Sequence, residues 1–172
     1  FQQHALQNAA KGLWLYFLNR NAGKEEMYQH YRFNGLSDDL DYNLSRKSES
    51  KTAKYLLEYP DDYPVTDNKI SFARFINRMS FWMATGSGKT LVIVKLVEML
   101  GKLISSGEIP AYDILFLTHR EDLIDQFRIH IDEYNGFNHE TRINIRSLKE
   151  YEAVKRDNVL PFSRKEITIF YY

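Results

Sequence analysis

Met83-Ala84-Thr85-Gly86-Ser87-Gly88-Lys89-Thr90 decides how this chain is read. Ahead of it, Asn77 to Ala84 reads as a short apolar strand, and behind it Lys89 to Ser105 carries apolar residues at helical spacing. The stretch is therefore a Gly-rich turn between a strand and a helix, the setting a phosphate loop requires. Gly86 and Gly88 can take backbone angles that bring consecutive N–H groups toward one point, forming an anion nest. The helix behind them adds its unpaired N-terminal amides and the positive end of its dipole. In such a nest Thr85, Gly86, Ser87 and Gly88 wrap the phosphate chain, with Ser87 shaping the turn. Lys89 reaches the β- and γ-phosphates and the Thr90 hydroxyl ligates Mg²⁺, so ATP and Mg²⁺ are the expected ligands and Lys89 and Thr90 the expected catalytic pair. The strict pattern G-x-x-x-x-G-K-[ST] wants glycine where Met83 stands.

Downstream, Ala111 to Thr118 reads as a second strand with a buried run at 114 to 117, and Glu121 to Tyr134 as a helix with Leu123, Ile124, Phe127 and Ile131 on its apolar face. Arg142 to Arg146 reads as a weaker strand, Leu148 to Arg156 as a helix, and Glu166 to Tyr172 as a fourth strand. Strand alternating with helix implies an α/β fold with a parallel sheet and right-handed crossovers. Upstream, residues 2 to 20 form an amphipathic helix that stops at Asn21-Ala22-Gly23. Residues 24 to 75 carry charge clusters, turn signals and aromatics without a clean period, which reads as an insertion with one or two short helices, partly mobile. A satellite cluster of packed tyrosines is the stronger reading for Tyr55 to Tyr63. The expected organisation is 1–23, 24–75 and 76–172.

Composition narrows the function classes. The chain has 172 residues, 44% apolar and 27% charged, a globular balance. Its 23 basic residues match its 23 acidic ones, which excludes a blanket electrostatic grip on nucleic acid but leaves local basic patches open. With no cysteine there is no disulfide framework or thiolate metal site, in keeping with a reducing, cytoplasmic setting. No apolar run approaches the roughly 20 residues of a bilayer span, so no membrane role is expected, and Phe-Gln-Gln-His is not a signal peptide. The five histidines lack ligand spacing, and neither a Gly-x-Ser-x-Gly elbow nor a Gly-x-Gly-x-x-Gly fingerprint occurs.

Ala84-Thr85-Gly86-Ser87-Gly88-Lys89-Thr90 resembles motif I of the superfamily 2 helicases and translocases, which commonly dispense with the first glycine. With Met83 it especially resembles the restriction (endonuclease) subunits of type III and type I restriction–modification systems. Phe1-Gln2-Gln3-His4-Ala5-Leu6 is similar to the Tyr-Gln-x-x-Ala-Leu element that opens such motors. Ile114 to Phe127 resembles motif Ia, a strand, a polar turn and a helix ending in Leu-x-x-Gln. The resemblance implies a truncated RecA-like ATP-binding domain, with Gln2 contacting adenine and Thr118 and Arg120 near nucleic-acid phosphates. It implies an ATP hydrolase in the full protein, a DNA-dependent motor with an endonuclease function, whose partners are duplex DNA and a methylation or specificity subunit. From the residues alone, the 118–120 turn reads equally as a solvated loop in which Arg120 caps Glu121 or Asp122.

The family also needs an Asp-Glu pair at the end of a strand. The one Asp-Glu pair, Asp132-Glu133, closes a helical stretch and follows Thr90 too soon. The chain is thus expected to stop short of motif II and to be inactive by itself. Gln2 also stands further ahead of Lys89 than the few dozen residues usual in the family, an excess that the insertion accounts for. The alternatives are a P-loop helicase of DNA repair or RNA metabolism, a P-loop nucleotide kinase or GTPase-like switch, and a scaffold that keeps the loop as a relic.

Overall fold

The structure, a computed structural model, describes residues 2–18, 24–35, 41–45, 50–156 and 166–172. It contains two compact units, Phe1–Ala10 with Phe81–Tyr172, and Lys11–Ser80.

In the first unit, two long helices owe their position to apolar stripes. Helix α4 (Lys89–Ser105) buries a stripe of Val94, Val97 and Gly101, with Val92 buried beside it, and α5 (Glu121–Phe137) buries Ile124, Phe127, Ile131 and Tyr134, each stripe recurring at three- and four-residue steps. Both stripes face a parallel sheet of β4 (Ile114–Phe116), β5 (Arg142–Ser147) and β6 (Glu166–Tyr171), in the order β4-β6-β5. Register sets Ile114 beside Ile169 and Ile143 beside Ile167. The central strand reads Ile167-Thr168-Ile169-Phe170 with all four residues buried, as a strand covered on both faces must be. One face meets Val94, Val97, Phe127 and Ile131, where Phe116 stacks on Phe127 with ring centres 4.6 Å apart. On Phe170 the ring of Tyr151, from α6 (Tyr151–Arg156), stands edge-on at 5.0 Å. Tyr151 Oη also donates to Asp113 Oδ2 at 2.8 Å and Lys155 Nζ to Asp113 Oδ1 at 3.0 Å, fastening α6 to the entry of β4. Between α4 and α5, Glu98 accepts from Lys102 and Lys95; burial works to raise its pKa, but these two bonds outweigh it and hold the carboxyl below its ordinary range.

The second unit has α2 (Lys24–Phe33), α3 (Lys51–Leu57) and a three-stranded antiparallel sheet of β1 (Tyr42–Asn43), β2 (Val65–Thr66) and β3 (Lys69–Ile70), ordered β1-β3-β2. Asp67 and Asn68 link β2 to β3 with φ of 50° and 59°, the pair of left-handed residues a two-residue hairpin turn needs. Leu44, Ala53 and Ile70 form its core, with Tyr42, Leu56, Tyr63 and Phe75 packed around them. Residues 24–75 thus belong largely to a folded unit with its own apolar centre, and that unit begins inside α1 (Gln2–Leu13) and ends at Ser80.

Several elements differ from their sequence reading, each for a physical reason. Asn77 to Ala84 is not a strand: Arg78 is held in the second unit, its guanidinium 5.2 Å over the Phe75 ring and donating to Tyr63 Oη at 2.8 Å, while Phe81 and Trp82 are exposed and no described strand pairs with them. Asn77 lies in a turn, and a segment without a ladder is not a strand. The run at 114 to 117 is not buried either: Leu115 and Leu117 are 45% and 67% exposed, β4 having no described strand on its side away from β6. Helix α1 ends at Leu13 and passes into a π-helical turn, Trp14–Leu18; the stop signal at 21–23 lies outside the described residues. Leu148 to Arg156 is split into a 3₁₀ turn, Leu148–Glu150, and α6, because Ser147 and Glu150 form a capping box at its start. Among the described residues no helix is long and apolar enough to cross a membrane.

Gly101 gives the packing a sharp test. In a helix, Gly→Ala is ordinarily favourable by about 0.5–1 kcal/mol. Here a Cβ would sit 2.6 Å from Cγ1 of the buried Ile167, closer than side chains approach. We expect Gly101→Ala to destabilise the chain by about 1–3 kcal/mol, the range for overpacking, read as a lower urea midpoint with unchanged m-value.

Candidate functional site

The loop ahead of α4 is built by two glycines. Gly86 and Gly88 both have φ of 78°, and Gly88 is the N-cap of α4 with no side-chain cap bond. A Cβ in that region is penalised by about 1–2 kcal/mol, so the curl depends on glycine at both places. Ser87 between them fixes the turn, its Oγ donating to the Ala84 carbonyl at 2.6 Å and its N–H to the same oxygen at 3.3 Å. The helical ladder starts with Val92 N–H to Gly88 O at 3.2 Å, so the amides of the first turn, Lys89, Thr90 and Leu91, have no acceptor four residues back. They face the loop with the positive end of the helix dipole.

Lys89 is folded onto the entry of the loop, Nζ donating to Met83 O at 2.9 Å and Ala84 O at 2.8 Å. Thr90 stands in the first turn of α4, half-buried, and Thr85 at the exposed outer bend. Gln2 reaches the same loop from the start of α1: its Nε2 donates to Ser87 O at 2.9 Å, and the amide lies where a Cβ on Gly88 would project. Gln2, Ser87, Gly88 and Lys89 are thus one constellation. The sequence reading assigned Gln2 to a base, and nothing in the sequence marks its bond to a loop carbonyl more than eighty residues away.

Thr118 and Arg120 form a turn at the C-terminal end of β4. Thr118 N–H extends the β4–β6 ladder to Tyr172 O at 3.3 Å, and its Oγ1 accepts from Arg120 N–H at 3.2 Å. The guanidinium grips Asp122 with two bonds, Nε to Oδ1 at 3.0 Å and Nη2 to Oδ2 at 2.5 Å. That fork holds the Asp122 carboxyl below its usual range. Asp132 and Glu133 lie on an exposed face within α5, which continues past them to Phe137, and Glu133 Oε2 is 3.1 Å from His130 Nδ1.

The donor set suits a nucleotide. Mg²⁺ uses few protein ligands and keeps several waters beside phosphate oxygens, and Thr90 is the hydroxyl at the right end of the helix for that role. Among the described residues no group of three or more His, Asp or Glu gathers as a metal site.

The family model described as type III restriction enzyme, res subunit, matches residues 26–170. The chain belongs to this family. Its α/β sheet is accordingly a RecA-like P-loop domain, of the helicase-like ATP-binding kind found in restriction enzymes. The matched span takes in the phosphate loop, the 118–120 turn and most of the second unit, whereas Gln2 lies outside it. No curated protein and no solved structure matches the chain.

The two glycines are not equivalent, and this is testable by thermal unfolding. A Cβ at Gly86 meets nothing within 4 Å, so Gly86→Ala should lose only the left-handed term. Gly88→Ala adds a collision with the Gln2 amide and should unfold at lower temperature. The double variant Gln2→Ala, Gly88→Ala should regain the difference between the two; a double variant no more stable than Gly88→Ala would show that the Gln2 contact carries no strain.

Proposed function

We propose that this domain binds ATP–Mg²⁺ at the 83–90 loop and serves as the first motor half of the restriction subunit of a type III system, which moves along duplex DNA and works with a methylation subunit. The observation that carries the reading is the pair of left-handed glycines at the uncapped start of α4, with the Lys89 ammonium beside them. In this reading Lys89 exchanges its two loop carbonyls for phosphate oxygens. The first-turn amides hold the phosphate chain, Ser87 keeps the loop curled, and Thr90 holds the metal. Gln2 orients the adenine from its place on the loop. Bound Mg²⁺ supplies charge neutralisation on the phosphates. In the complete enzyme a second RecA-like domain would close over the nucleotide, and alternation between open and closed states would drive stepping on DNA.

Neither Asp132 nor Glu133 ends a strand, so neither can orient a water or steady the metal. Charge stabilisation of phosphoryl transfer depends on those parts together with the loop. The domain by itself should therefore bind nucleotide and hydrolyse it at a negligible rate. Titration calorimetry with ATP and Mg²⁺ tests the site: Lys89→Ala should weaken binding at least tenfold, and Thr90→Ala should remove most of the Mg²⁺ dependence. Affinity unchanged by Lys89→Ala would overturn the assignment.

The nucleic-acid surface in this proposal is the Thr118–Arg120 turn. Arg120 has to leave Asp122 to meet a phosphate, so the carboxylate competes with DNA for the guanidinium. Asp122→Asn should tighten binding to duplex DNA. Arg120→Ala should weaken it and lower the slope of log K against log salt by about 0.9, the value for one phosphate contact on B-DNA. Equal slopes for Arg120→Ala and the parent chain would remove Arg120 from the interface.

A further inference from the structure

The outer edge of β5 carries an arrangement that the nucleotide site does not use. Among the described residues β5 pairs with β6 on one side and with no strand on the other, where its main-chain groups face outward. On that side the side-chain amide of Asn135, from α5, exchanges two bonds with Ile143: Nδ2 donates to Ile143 O at 2.9 Å, and Ile143 N–H donates to Oδ1 at 2.8 Å. This is the pair of bonds that a residue on an added antiparallel strand would make. At the far end, Ser147 N–H donates to Glu150 Oε1 at 3.3 Å. Main-chain groups that face away from β6 alternate along a strand, so with Ile143 outward the next outward residue is Ile145. It lies between the two plugs, and no described group bonds it on that side.

The sequence of β5 says what would pair there. Arg142-Ile143-Asn144-Ile145-Arg146 reads the same in both directions. Two copies laid antiparallel about Asn144 put Ile143 of each opposite Ile145 of the other, outward residue against outward residue, so all four groups on each strand find partners. That is the self-complementarity a two-fold interface requires. Arginine falls opposite arginine, but Arg146 Nη1 already lies 3.6 Å from Glu150 Oε2, and Arg142 stands in register beside Glu166. An open groove of about 710 Å³ is lined by β5 from Arg142 to Arg146 and by Arg128, Asp132 and Asn135 of α5.

We propose that the outer edge of β5 is a self-pairing surface for a second copy of this chain, and that Asn135 holds it shut by occupying Ile143. An exposed edge strand is a template for association, and a side chain that satisfies its main-chain groups removes the template. With Asn135 in place only Ile145 is open, too little for a ladder.

Sedimentation velocity over a concentration series tests this on the full 172-residue chain. Asn135→Ala should raise the self-association constant at least tenfold over the parent. Adding Ile145→Pro, which removes the outward N–H at an edge position where proline is tolerated, should return it to the parental value. If Asn135→Ala does not fold by circular dichroism, Asn135→Asp serves in its place, since it keeps the acceptor for Ile143 N–H and loses the donor to Ile143 O; it should associate more strongly than the parent, and again not with Ile145→Pro. A folded Asn135 variant that associates no more than the parent, or whose association survives Ile145→Pro, overturns the proposal.

Discussion

The amides at the start of α4 have no acceptor within the helix, and the nucleotide site proposed for this protein rests on where they point. A serine or aspartate at the N-cap would satisfy them with its own side chain. Gly88 cannot, and its left-handed backbone turns the chain so that the amides face a loop instead of a neighbouring side chain. The stripe of Val94 and Val97 then anchors the helix on the sheet, so the unsatisfied end is held rigidly. Binding an anion at such a site needs little rearrangement of the main chain. The rearrangement that remains is in Lys89, whose ammonium has two carbonyl partners to exchange.

The two turns at this end of the fold share one design. In each, a cation that could meet a phosphate already has an internal partner: Lys89 on the carbonyls of Met83 and Ala84, Arg120 on the carboxylate of Asp122. Such partners keep the charges placed and solvated at small net expense. They also set a threshold, because a ligand must offer more than a carbonyl pair or a carboxylate does. Phosphate oxygens meet that condition, and most neutral ligands do not.

Much of this was legible in the sequence, and the parts that were not have a common origin. The helices at 89–105 and 121–137 and the strands at 142–147 and 166–171 announced themselves through local periodicity, because each buries one stripe or one continuous run. The phosphate loop was legible because glycine spacing encodes backbone angle directly. The segment 77–84 was misread because its apolar letters describe a strand only if a partner strand lies alongside, and Arg78 is instead tied to Tyr63 and Phe75. The hairpin at Val65–Ile70 was missed because its turn is Asp67-Asn68, which lacks the glycine that usually signals such a turn. Asn135 could have been noticed, since it follows Ile131 by four residues on the core-facing stripe, where a polar side chain must find a partner. Gln2 on Ser87 could not, because no local rule joins positions so far apart.

The order of strands in the sheet also has a consequence for biogenesis. Of these three strands the middle one, β6, is the last in sequence, and among the described residues β4 and β5 each pair with it and not with one another. During translation both must therefore wait, with their inner edges bare, until Glu166–Tyr171 has left the ribosome. At about 5–20 residues per second that interval lasts seconds, long compared with helix formation or hairpin closure. These three strands are thus joined by a late insertion of one strand between two that are already made.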